Sequence, residues 1–102
     1  MLTHVVLFWA KGDLTEADRA DFAGGLRTLL AIPTVDAGWF GSPAATNRSV
    51  VDHSYTFGLT LRFKDVAAHD AYQVDPIHDA FHARCAKYWQ KVAVYDIDDL
   101  AR

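Results

Sequence analysis

The run Leu2 to Trp9 would be apolar on both faces of a strand. Side chains alternate across a strand, which puts His4, Val6 and Phe8 on one side and Val5, Leu7 and Trp9 on the other. An antiparallel sheet with one wet face reads as apolar and polar in turn, and this run does not. A last strand over Val92 to Ile97 repeats the pattern, with Val92 and Val94 set against Ala93 and Tyr95. The run Tyr55 to Phe63 alternates better, with Phe57, Leu59, Leu61 and Phe63 opposite Thr56, Gly58, Thr60 and Arg62. A sheet built from these strands needs cover on both sides, and the helices of a 102-residue chain can supply only one. The other side needs a partner surface, and a second copy of the same sheet is the simplest one, so an obligate homodimer is expected.

Between these strands the chain reads as alternating elements. Lys11-Gly12-Asp13 ends the first strand. Thr15 and Asp18 have capping-box spacing, and Phe22, Leu26, Leu29 and Leu30 follow at helical intervals until Ile32-Pro33 closes the helix. A pair of glycines, Gly24-Gly25, sits inside that helix at a cost of about 1 kcal/mol each relative to Ala, which a close approach of another element would explain. A second strand is predicted over Val35 to Gly41, then a long polar connection over 42–54, long enough to suspect a functional loop. Asp65 caps a short helix through Tyr72, and Asp75-Pro76 starts another that runs to near Trp89. The order β-α-β-β-α-β, with the second helix interrupted, defines an α+β fold of the ferredoxin-like kind. It has an antiparallel sheet with both helices on one face, in a single domain over 1–102.

Composition narrows the partners. The net charge is −3 and the basic residues are scattered, which argues against nucleic acid and against an anionic membrane surface. No apolar run approaches the ~20 residues of a membrane span. A single cysteine, Cys85, allows no intrachain disulfide and suits a reducing, cytoplasmic location.

Chemistry is concentrated in residues 72–82, Tyr-Gln-Val-Asp-Pro-Ile-His-Asp-Ala-Phe-His. With Asp75 as N-cap and Pro76 at the first helical position, His78 falls in the first turn. The positive end of the helix dipole there disfavours imidazolium, and a neutral ring is what a general base requires. Tyr72, just before the break, can aim its hydroxyl at the same point. His78 and His82 have the i, i+4 spacing of a metal pair, but no Glu stands between them and His53 or His69 would have to complete a shell. No metal and no cofactor are therefore predicted. Cys85, on the same helix, reads as a small buried hydrophobe.

His4-Val-Val-Leu-Phe, Ile32-Pro33, Ala71-Tyr72-x-x-Asp75-Pro76-x-His78-x-x-Phe81 and Trp89 together resemble the stress-responsive α/β-barrel family over essentially the whole chain. The family's proteins are dimers whose two sheets form a joint barrel. Its best understood enzyme, olivetolic acid cyclase, closes a polyketide chain by aldol condensation. The resemblance implies that His78 is the general acid/base, that Tyr72 holds and polarises the substrate, and that His4 lines the pocket. It also implies that Phe22, Leu59, Phe81 and Trp89 supply apolar walls. Phe57 stands where the cyclase has a histidine and Leu26 where it has a tyrosine, which leaves one base, one phenol and apolar walls.

The function expected from these residues is proton abstraction next to a carbonyl of a small apolar ligand, as in a cyclase, isomerase or lyase. The alternative is a non-catalytic, stress-related homodimer that binds such a ligand. A cofactor-free monooxygenase is a weaker third reading.

Overall fold

The computed structural model describes residues 1–101; of the domain expected over 1–102, Arg102 lies outside the described residues. The elements are β1 (Leu2–Ala10), α1 (Glu16–Leu29), β2 (Ala37–Gly41), β3 (Phe57–Phe63), α2 (Val66–Gln73), α3 (Pro76–Cys85) and β4 (Trp89–Asp98). A 3-10 turn at Ala86–Tyr88 joins α3 to β4. The four strands form one antiparallel sheet in the order β2-β3-β1-β4, with β1 in the centre paired to β3 and β4. This is the expected ferredoxin-like α+β arrangement. The sequence reading is adjusted at the ends of elements. Helix α3 stops at Cys85, not near Trp89, and Trp89 already belongs to β4. Strands β2 and β3 each start two residues later than expected.

Local chemistry explains the elements. Thr15 accepts from the Asp18 N–H at 3.1 Å and the Asp18 carboxylate accepts from the Thr15 N–H at 3.1 Å, closing the capping box of α1. Asp65 accepts from Ala68 N–H at 2.8 Å at the start of α2, and Asp75 accepts from Ile77 N–H at 2.8 Å at the start of α3.

The helices lie on the face of the sheet that carries His4, Val6, Phe8, Leu59, Leu61 and Phe63, all of them buried. Helices α1 and α3 touch where Gly25 faces Cys85 and Phe81, so closely that a Cβ on Gly25 would collide with the Cys85 sulfur. That contact is the close approach the glycine pair suggested. Burial pushes the Cys85 thiol upward, as suits a packing residue. Arg84 clamps the same seam by two hydrogen bonds, at 2.8 and 2.6 Å, to one Asp21 oxygen, while the Tyr88 hydroxyl donates to the other at 2.7 Å.

The opposite face has no helix. Register puts Trp39, Thr60, Val5 and Tyr95 in one row across it, and Gly41, Gly58, Leu7 and Ala93 in the next. Trp39 there is 55% exposed and Tyr95 56%. The connection 42–56 is irregular and folds toward this face, where Ser54 accepts a hydrogen bond from the Trp9 indole at 3.0 Å. None of its residues reaches the site described below. No helix is long and apolar enough to cross a membrane among the described residues.

Candidate active site

Strand β4 lies at the sheet edge, beyond the cover of α1. Its helix-side residues Val92, Val94 and Asp96 stand beside Phe8, Val6 and His4 of β1. The space between that edge and the start of α3 stays open as a pocket of about 320 Å³. His4, Tyr72, His78, Leu59, Phe81 and Trp89 all line it. Of the residues expected there, only Phe22 is missing. It is fully buried one layer behind, with its ring against Phe8 at 5.4 Å and Trp89 at 5.9 Å, and those two rings form the wall instead. Phe22 is a core residue because mid-α1 lies over the centre of the sheet, away from the open edge. Leu26 and Phe57, the two positions that differ from the cyclase, also lie outside the pocket wall; Leu26 is fully buried and Phe57 packs on Phe22 at 5.1 Å.

His78 occupies the third position of α3, as the Asp75-Pro76 signal required. Its ring meets Tyr72 edge to face with centroids 4.9 Å apart. Neither ring has a hydrogen-bond partner among the described residues. Burial lowers the His78 pKa below its ordinary value, with His82 adding to the effect and Asp79 opposing it, so the ring is neutral at pH 7. The sequence pointed to the helix dipole for the same direction of shift, and burial acts that way too. Tyr72 is 1% exposed, and burial raises its hydroxyl well above the ordinary phenol value, so it stays protonated. The pair is therefore an acceptor without a proton next to a donor that keeps its own.

His4 is 3% exposed and its Nδ1 is 2.5 Å from Asp96 Oδ1. Burial lowers its pKa, while the bond to Asp96 works the other way. Seven further residues line the pocket beyond those expected: the core residues Val6, Phe8 and Leu29, and also Gln73, His82, Val92 and Val94. The alternation of the last strand held the signal for the two valines, which share a face opposite Val6 and Phe8. His53, considered as a ligand beside His78 and His82, sits in the 42–56 connection, where its ring meets the Thr46 hydroxyl at 3.1 Å.

The fold and site define a small ferredoxin-like α+β protein with an apolar pocket at the sheet edge. The chain belongs to the stress-responsive A/B barrel domain family, whose model matches residues 2–99. It is similar to a protein of that family with a ferredoxin-like fold from Mesorhizobium loti, 25% identical, with a TM-score of 0.79 over 98% of this chain and 97% of that one. A dimeric ferredoxin-like protein of unknown function from Thermobifida fusca is 22% identical, with a TM-score of 0.78 over 94% of this chain and 88% of that one. The hydroxynitrile lyase of Passiflora edulis is 17% identical, with a TM-score of 0.78 over 99% of this chain and 95% of that one. Among curated protein sequences, none matches this chain.

Proposed function

We propose that this chain works as a homodimer whose pocket removes a proton next to a carbonyl of a small apolar ligand, without a cofactor, in a reducing cytoplasmic setting. His78 is the base and Tyr72 donates a hydrogen bond to the enolate oxygen that forms. The observation that carries this reading is the edge-to-face His78–Tyr72 pair at 4.9 Å, both groups without a hydrogen bond among the described residues and both at one pocket. A neutral imidazole takes the carbon-bound proton, and the phenol stabilises the charge that moves to oxygen. The enolate then attacks a second carbonyl, is reprotonated elsewhere, or expels a leaving group, which gives cyclisation, isomerisation or a lyase step. The lyase from Passiflora edulis supports this only in that a scaffold of this fold serves as an enzyme elsewhere. The bare sheet face supports the homodimer, as does the dimeric description of the Thermobifida fusca protein.

Deuterium uptake at the central carbon of an apolar β-diketone in heavy water, followed by proton NMR, tests the base. Wild-type protein accelerates the exchange, and His78→Gln slows it by about 10²–10⁴-fold, the usual contribution of a positioned acid or base. Tyr72→Phe slows it by about 10–100-fold through loss of a hydrogen bond to a charged oxygen. Diketone binding without any exchange would instead establish the ligand-binding alternative.

A further inference from the structure

We propose that His4, His69 and Asp96 form a binding site for a divalent transition-metal ion of the Zn²⁺ kind at the far end of the pocket. Three elements bring them together: His4 from the centre of β1, Asp96 opposite it on β4, and His69 from α2 above. Their ligand atoms all lie within 4.8 Å of one another, and they are the one such group of three among the described residues. Such an ion holds imidazole nitrogen and carboxylate oxygen at about 2.0–2.2 Å, so movement on the order of 1 Å brings all three onto it. His69 and Asp96 are the less buried members and have room to make that movement.

The hydrogen bonds already present fit this use. Asp70 Oδ1 lies 3.1 Å from His69 Nδ1, which places the proton on that nitrogen and leaves the lone pair on Nε2; the Gln73 amide nitrogen is 3.3 Å from that Nε2, a contact the ion would replace. A carboxylate behind a ligating histidine is the usual support for a metal ligand. The Nε2 is also 3.7 Å from Asp96 Oδ2, too long for a hydrogen bond, so two acceptors stand close together. Asp96 pairs with no Lys or Arg among the described residues. A cation resolves that opposition. Two imidazoles and one carboxylate suit Zn²⁺ or Co²⁺ and leave a coordination position open. His4 also lines the pocket and packs on Tyr72 at 5.7 Å, which puts the group of three beside the pocket.

Calorimetric titration of metal-free protein with Zn²⁺, repeated with Co²⁺ by visible absorption, tests the site without reference to turnover. The expected result is one ion per chain. Binding is lost in His69→Ala and in Asp96→Asn, is about tenfold weaker in Asp70→Asn, and is unchanged in His82→Ala and His53→Ala. Zinc X-ray absorption on the wild type should show two imidazoles, which decides the matter should either ligand variant unfold. No binding, or binding that survives His69→Ala and Asp96→Asn but not His82→Ala, overturns the proposal. Proton exchange by His78 needs no ion and should persist in chelator, so the two readings fail separately.

Discussion

The two faces of the sheet are made from the same strands and end in opposite conditions. On one, the three helices bury Phe8, Leu59, Leu61 and Phe63, and the margin under β4 is left hollow. On the other, the same strands carry Val5, Leu7, Trp39 and Tyr95 with no helix above them. Folding of one chain satisfies the first face and leaves the second unmet. The pocket lies on the covered side, and the proposed assembly uses the bare one.

The largest effect expected from disturbing this division is on the bare face. The double change Trp39→Asp and Tyr95→Asp puts a charge on each edge strand of that surface, at two exposed positions outside the core. Sedimentation should show wild type at about twice the 11.4 kDa chain mass, and the double variant at the single-chain mass with its circular dichroism unchanged. A wild-type monomer would remove the assembly role from that face. Next in size is Gly25→Ala on the covered side. The added methyl meets the Cys85 sulfur and the Phe81 ring, and crowding of this kind lowers stability by about 1–3 kcal/mol in denaturant titration, without changing the dimer mass. The smallest is Thr15→Ala, far from both surfaces, which loses the α1 cap and about 1 kcal/mol.

The same contrast explains what the sequence could reveal. The two-sided apolarity of Val5 to Trp9 and the alternation in β3 are local patterns, so the sheet and its bare face were legible. So was His78, because a cap and a proline fix a helix start within a residue. The spacing of Phe22 correctly put it on the buried face of α1; its place in the pocket wall was implied by the family resemblance alone, and spacing does not tell which layer a buried residue joins. The grouping of His4, His69 and Asp96 depends on β1 pairing with β4 and on α2 crossing above them. Contacts so far apart in the chain leave no periodic trace. The alternation of β4 carries Asp96 onto the same face as Val92 and Val94, but alternation alone does not say what stands opposite it.

An uncharged imidazole in the pocket also sets a pH dependence. His78 has its folded pKa lowered by burial, so its share of stability is complete above the unfolded value of 6.5 and is lost as the pH falls below it. Exchange should climb along an acid limb centred below 6.5 and then stay level, since the Tyr72 proton is held far above that range.

The most direct measurement is a proton NMR titration of the His78 ring, assigned through His78→Gln. A midpoint below 6.5, with the resonance shifting when an apolar β-diketone is added, is the expected result. A midpoint above 6.5, or a ring indifferent to the diketone, would mean a charged or solvent-facing imidazole and would contradict the assignment of His78 as the base.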